Sequence, residues 1–321
     1  MNNLKAVSNV LVIGSSNVDQ IIFSDHLPKP GETVSMGRYV QVYGGKGANQ
    51  AVAASKAGAE VTMISSLGDD SYGNEILKNL QQFGVNTSFV KRQNGIHTGV
   101  ALIVVDAKGE NSIAVALGAN NLLSFEMVEE VVSGFEMPFG FALLQMEAPL
   151  ETVCKTIELL HNKGIEVVLN LAPFFNLPAD VLAKVSYLVV NTSEAEELAF
   201  FPVSNQHSAE QAAKAIYYQS GIPNIVVTLG GDGVVLSENG VCTFFPVVNV
   251  EVVDTTAAGD VFCGYLVAGL SVQLSLLESI EQAIVASAIS VTRQGAQPSI
   301  PEKEEVEEWI LKLKSESFFK S

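Results

Sequence analysis

The 321-residue chain is long enough for one large α/β domain or two small ones, and 48% hydrophobic against 17% charged residues excludes wholesale disorder. Its 35 acidic and 18 basic residues leave a formal net charge of −17, which argues against nucleic acid or an anionic membrane as partner, since either requires a basic face. An anionic small substrate stays open, because backbone dipoles and a few lysines act locally.

Short apolar runs alternate with helical periodicity from the start. "VLVIG" (10–14) reads as a buried strand, and 18–45 after it as strands joined by turns, with no helix between them. "GGKGANQA" (44–51) leads into a helix ending at Gly58. It lacks the glycine spacing and the Ser/Thr of a phosphate loop, so its glycines serve close approach of a ligand to backbone, with Lys46 and Asn49 supplying hydrogen bonds. A strand at 61–68 and a helix over 74–84 follow. Then 98–118 reads as a hairpin, "ALIVV" and "SIAVAL" joined by "DAKGEN". Further buried strands are predicted at 141–146, 166–173, 187–191 and 224–233, with intervening helices that end at Gly164 and Gly221 as C-caps do. Continuous apolar strands separated by helices predict a parallel sheet covered on both faces, within one domain. The helix-free segments fit a small accessory sheet or an antiparallel extension of the main one.

Cys154, Cys242 and Cys263 are scattered and the four histidines show no HExxH spacing, so neither a zinc site nor a disulfide framework is expected. Free thiols, a five-residue apolar run too short for a signal segment and no membrane-length stretch lead to a cytoplasmic expectation. The GxGxxG and GxSxG patterns are also missing.

Ligands of open parallel sheets bind beyond the carboxyl ends of the strands. Asn17, Asp19, Glu147, Asn191, Glu194 and 228–233 all fall at such ends. "VDTTAAGDVFCGYL" (253–266) adds a run of small residues before a buried helix, the kind of junction whose bare N–H groups suit a phosphate, yet Asp260 stands there. Asp260 is either a helix cap or a general base. In the second case the N–H groups of 257–260 stabilise a transferring phosphoryl group, while the carboxylate, kept ionised by the helix dipole, accepts the proton of the attacking hydroxyl.

"GGKGANQA", "NTSEAEEL", "TLGGDGV", "VDTTAAGDVF" and "VTRQGAQPSIP" occur in the order and spacing of the PfkB-type, or ribokinase-like, carbohydrate kinase family, which the chain resembles from Val10 to Pro301. "DTTAAGD" resembles the general signature DTxGAGD, while "GGKGAN", "GAN" at 118–120 and "TRQGAQPS" resemble the family's ribose-phosphorylating branch.

The resemblance implies a three-layer α/β/α fold with a mostly parallel central sheet, in a single domain over 1–321, and a small β-sheet lid from about 15–45 and 96–120. It implies ATP-dependent phosphorylation of the 5-hydroxyl of D-ribose, giving D-ribose 5-phosphate and ADP, with Mg²⁺ accompanying ATP and a K⁺-type ion activating. Carried over, Asn17, Val18, Asp19, Gly45, Lys46, Gly47, Ala48, Asn49 and Glu147 hold the sugar. Asp260 is the base, and Ala257, Ala258 and Gly259 form the anion hole. ATP falls to Asn191, Thr228, Leu229, Gly230, Gly231, Asp232, Gly233, Gly259, Asp260 and Ile284, with Glu194 on magnesium through water. The monovalent ion falls to Asp254, Thr256, Ser290, Arg293, Gly295 and Ser299, mostly through backbone carbonyls.

A homodimer through the lid is also implied. Departures from the pattern are Ile284, where relatives commonly carry His or Asn, Leu171 in place of Pro, and an acidic Asp232. The alternatives are a sibling kinase acting on deoxyribose or a nucleoside such as adenosine, and a non-catalytic sugar-binding protein. The intact Asp260 speaks against the last.

Overall fold

The computed structural model describes residues 9–35, 37–134, 139–316 and 318, so parts of the expected domain at 1–8, 36, 135–138, 317 and 319–321 lie outside the described residues. In chain order its strands are β1 (Asn9–Ile13), β2 (Asn17–Phe23), β3 (Arg38–Gly44), β4 (Glu60–Gly68), β5 (Asn86–Gln93), β6 (Gly99–Val105) and β7 (Asn111–Ala116). They continue as β8 (Phe141–Leu144), β9 (Glu166–Asn170), β10 (Tyr187–Asn191), β11 (Asn224–Thr228), β12 (Val234–Glu238) and β13 (Val241–Phe245). The helices are α1 (Lys46–Lys56), α2 (Ser71–Gln82), α3 (Phe125–Gly134), α4 (Leu150–Asn162) and α5 (Ala179–Leu182). After them come α6 (Thr192–Ala199), α7 (Gln206–Ser220), α8 (Ala258–Ser271), α9 (Leu276–Ser290) and α10 (Lys303–Ser315).

The main sheet runs β13-β12-β11-β10-β9-β8-β1-β4-β5 and is parallel except where β12 pairs with β11 and β13. Successive residues of each central strand enter opposite cores, which is why these runs are apolar throughout. Val10 and Val12 pack with α1, α2, α8, α9 and α10, whereas Leu11 and Ile13 pack with α3 to α7. Val189 and Val226 face the first core while Leu188, Val190, Ile225 and Val227 face the second. This two-sided burial, worth about 1.5–3 kcal/mol per large apolar side chain, fixes the strand ends at which the polar groups emerge. Gly58, Gly84, Gly164 and Gly221 take φ of 94°, 78°, 73° and 75°, as expected of residues closing helices.

Strands β3-β2-β6-β7 form a separate sheet, so the helix-free segments are a second sheet and not an extension of the first. The expected hairpin is β6–β7, and β2 pairs with β6 in parallel. The register puts Asp19, Ile21, Ala101, Ile103, Ile113 and Val115 on one face. Two local expectations shift. The helix read from 74 begins at Ser71, where the Asp70 carboxylate caps it by accepting from Gly73 N–H. The strand read over 224–233 ends at Thr228 and passes into a tight turn over Gly230–Asp232.

Candidate functional site

Helix α1 presses its first turn against the segment after β1. Gly45 has φ 90°, and a Cβ there would lie 2.8 Å from Ser16 Cα; one on Gly47 would lie 2.6 Å from the Gly14 carbonyl carbon. Only glycine permits this approach. It carries Lys46 N–H to Glu147 Oε2 at 3.0 Å, and Ser15 Oγ donates to the same oxygen at 2.5 Å. From the lid, Asp19 lies over Gly44, and Asn17 Oδ1 accepts from Asn120 Nδ2 at 2.7 Å. Val18 and Ala48 are fully buried, so they contribute packing and backbone rather than side-chain contacts.

At the other wall, Asp260 is the third residue of α8 and does not cap it; the residue before the helix, Ala257, makes no side-chain cap. The Asp260 carboxylate instead accepts from Asn49 Nδ2 and Gln50 Nε2, each at 2.9 Å. The cap reading is thereby replaced. Burial raises the pKa of Asp260 above the ordinary carboxylate value, against the pull of Lys46 and the two amides. Burial, with the Glu147 and Asp260 charges, raises Asp19 to about 6. For Lys46, burial opposes the charged form, but Asp260, Glu147 and Glu194 outweigh it and raise its pKa. One buried ammonium thus serves a ring of carboxylates, which suits a site receiving a polyphosphate and a polyol.

Ala257 occupies the left-handed region, φ 60° and ψ 10°, at the position where the family signature has glycine. The Ala258 N–H donates to the Thr255 carbonyl at 3.2 Å, while among the described residues no partner takes the N–H groups of Gly259 and Asp260. Of the expected anion-hole residues, Ala257 keeps an N–H that no described residue takes, and so does Gly259. It opens onto a cavity of about 200 Å³ lined by Lys46, Asn191, Glu194, Thr228, Ala257 and Asp260. Beyond Thr255 and Gly259 a second cavity of about 310 Å³ is walled by Val248, Val250, Phe262 and Ile284, with Gly230 and Gly231 at its rim. A polar chamber joined to an apolar slot matches the phosphates and the base of a nucleotide. Ile284, the departure from the pattern, belongs to the apolar slot. Leu229, Asp232 and Gly233 line neither cavity. Leu171, the other departure, is fully buried in the core on the far face.

Asn191 and Glu194 form a reciprocal cap on α6: Glu194 Oε2 accepts from Asn191 N–H at 2.8 Å and Asn191 Oδ1 from Glu194 N–H at 3.0 Å. Glu194 is a buried carboxylate facing the polar chamber, the hard-oxygen chemistry a magnesium–water shell accepts. Among the described residues no cluster of three or more His, Cys, Asp or Glu forms an all-protein metal cage. The expected monovalent-ion residues fall partly together. Asp254 Oδ1 accepts from Thr256 N–H and Oγ1 at 2.9 and 2.6 Å, and Oδ2 from Gly295 N–H at 2.9 Å, tying the two loops. Arg293 pairs with Glu305, Ser290 Oγ with the Ser287 carbonyl and Ser299 Oγ with the Ala296 carbonyl. The Ser290 carbonyl already accepts from Arg293 N–H at 3.1 Å, while no described residue takes the Arg293 and Ser299 carbonyls, the kind of oxygen an alkali cation accepts.

Several polar groups of the site escape the sequence reading: Ser15, Gln50, Asn120, Gln145, Asn170 and Gln297. Gln50, Asn120 and Gln297 stand inside quoted motifs and Gln145 two residues before Glu147, while nothing marks Asn170.

The family model described as pfkB family carbohydrate kinase matches residues 7–303. The chain is 39% identical to the ribokinase of Haemophilus influenzae, covering 93% of this chain and 97% of the relative. It is 36% identical to the deoxyribokinase of Salmonella typhi, covering 94% and 98%. The structure of Arabidopsis thaliana ribokinase complexed with ribose and ATP superposes with a TM-score of 0.84 at 28% identity, covering 93% of this chain and 97% of that one. With the glycine-built approach of α1 to the segment after β1, a buried acid at a helix N-terminus and these end-to-end similarities, the chain belongs to the PfkB family of carbohydrate kinases.

Proposed function

We infer that the protein phosphorylates D-ribose at its 5-hydroxyl with ATP, releasing D-ribose 5-phosphate and ADP. One observation carries the reading: the buried Asp260 carboxylate, near the N-terminus of α8, accepts from Asn49 on the expected sugar side and lines the polar chamber that adjoins the apolar slot. Asn17, Asp19, Asn49 and Glu147 offer acceptors and donors for vicinal hydroxyls. Asp260 takes the proton of the attacking hydroxyl, and the free N–H groups of Gly259 and Asp260, with Lys46, receive the charge building on the transferring phosphoryl oxygens.

Glu194 would hold a magnesium ion arriving with ATP, which would supply charge neutralisation to the phosphates. Carbonyls of the 254–256 and 290–299 loops would hold a potassium ion, which would supply fixed positive charge. The lid face with Ile113 and Val115, 55% and 53% exposed, supports pairing of two lids in a homodimer, and the thiol usage a cytoplasmic setting. Among the described residues no helix is long and apolar enough to cross a membrane.

Deoxyribose is the second reading, because identity to a deoxyribokinase is nearly that to ribokinases. Coupled ADP release across ribose, 2-deoxyribose, fructose 6-phosphate and adenosine decides: ribose is expected to give the highest kcat/KM. A poor showing by ribose overturns the assignment, and ribose binding without ATP consumption returns the protein to a sugar binder.

A further inference from the structure

Asp260 ends two chains of side-chain amides. On one side Gln145 Nε2 donates to Gln50 Oε1 at 2.6 Å and Gln50 Nε2 donates to Asp260 Oδ1 at 2.9 Å. On the other, Asn79 Nδ2 donates to Gln297 Oε1 at 2.5 Å, Gln297 Nε2 to Asn49 Oδ1 at 3.2 Å, and Asn49 Nδ2 to Asp260 Oδ2 at 2.9 Å. Every link donates toward the carboxylate. Turning any one amide over would set nitrogen against nitrogen or oxygen against oxygen, so the acid, an acceptor only, sets the polarity of both chains.

The first chain is the more costly to fold. Gln50 is 0% and Gln145 1% exposed, and Gln145 Oε1 has no partner. It is housed where Gly14 leaves space: a Cβ on Gly14 would lie 2.0 Å from that oxygen. A leucine in place of Gln145 would carry no such unpaired acceptor. Gln50 Nε2 also reaches Asn170 Oδ1 at 3.1 Å, and Asn170 Nδ2 reaches the Val189 carbonyl at 3.4 Å, so this chain is moored to the main sheet rather than to a loop. A polar chain kept in the core with one acceptor unpaired, its Gln145 and Gln50 donors relayed to the reacting acid, points to catalysis rather than stability.

We propose that Gln50, oriented by Gln145, is a positioning residue for the Asp260 base: it holds Oδ1 from behind so that the remaining lone pairs face the sugar hydroxyl. The proposal rests on the reading of Asp260 as base. A misplacement on the order of 1 Å at such a group costs up to about 100-fold in rate.

The test uses the full chain in coupled ADP release with ribose, ATP and magnesium, for Gln50→Leu and Gln145→Leu, each alone and in an Asp260→Ala background. Gln50→Leu is expected to lower kcat about tenfold or more with ribose KM within about threefold and calorimetric ribose stoichiometry unchanged. Gln145→Leu touches neither Asp260 nor sugar; it is expected to lower kcat about threefold to tenfold without lowering the melting temperature. In the Asp260→Ala background neither substitution should alter residual turnover by more than about twofold, since nothing is left to position. Wild-type kcat in both single variants overturns the proposal. So does a loss of the same factor in the Asp260→Ala background, or one matched by lost ribose stoichiometry. Wild-type turnover by Asp260→Ala itself removes the base reading and the proposal together, whereas the other outcomes remove the proposal alone.

Discussion

Asp260→Asn keeps the size of the side chain and removes the base. A positioned general base contributes about 100- to 10,000-fold, so kcat is expected to fall by at least that factor, about 3–5.5 kcal/mol of barrier. The structure also sets what the substitution does to the fold. Asp260 offers one oxygen to Asn49 and one to Gln50, each at 2.9 Å. An asparagine offers one oxygen and one amide nitrogen, so one donor loses its acceptor. Gln145 and Gln50 can turn over together to meet the new donor, since Gln145 Oε1 has no bond to lose, but Gln50 then forfeits Asn170. One lost hydrogen bond costs about 1 kcal/mol, and the end of carboxylate burial offsets part of it. The melting temperature should therefore move by about 2 °C or less. Asp19, Asn17 and Glu147 are untouched, so the ribose Kd from calorimetry should stay within about fivefold. Single-turnover ADP formation is the decisive assay. Turnover within tenfold of wild type in a folded variant would refute the base role, and a loss of ribose affinity equal to the loss of kcat would reassign Asp260 to sugar binding.

Asp19, at about 6 when folded against an ordinary 3.8, binds its proton more tightly in the native state. Its contribution to stability is therefore greatest below pH 4 and is lost as pH rises through about 6. Urea midpoints of wild type minus Asp19→Asn should fall across that window and level above pH 7, while the wild-type ribose KM improves as the carboxylate ionises; a flat difference contradicts the shift. Ala257→Gly removes about 1–2 kcal/mol of left-handed strain and adds about 0.4–1 kcal/mol of unfolded-chain entropy, so a gain of about 0.5–1 kcal/mol is expected. A lower urea midpoint would show that the Ala257 methyl contributes more by packing than it costs in strain. Activity should be low in sodium-only buffer and restored by potassium, and indifference to the exchange would remove the ion from the Asp254 loops.

The parallel core was legible because its strands are buried on both faces, which leaves unbroken apolar runs. The helix ends were legible because Gly58, Gly84, Gly164 and Gly221 take a backbone conformation other residues avoid. The β12–β13 hairpin carries an equally plain mark that the sequence reading passed over: Asn239–Gly240, with φ of 50° and 83°, is the two-residue turn that joins twisted strands. Strand β5, "NTSFVKRQ", is half exposed and mixed in polarity, so periodicity alone does not find it.

At the site, residues beside glycine motifs could be read. Gln145 and Asn170 could not, because a buried amide acquires meaning only from a partner distant in sequence. Gln297, though inside a quoted motif, takes its role from Asn49, 248 positions away. The burial that raises the Asp260 pKa is likewise invisible in a sequence.

Strand β2 begins at Asn17, directly after the turn that follows β1, and runs without a break to Phe23 in the lid sheet. On the proposed assignment, Asn17 and Asp19 hold the sugar as rungs of this second sheet and not as fixtures on the core beneath it. A tilt of the sheet would then change both contacts at once, so holding the sugar and covering it would be one motion. The same linkage would apply on the way out, and a longer-lived closed sheet would lengthen the cycle.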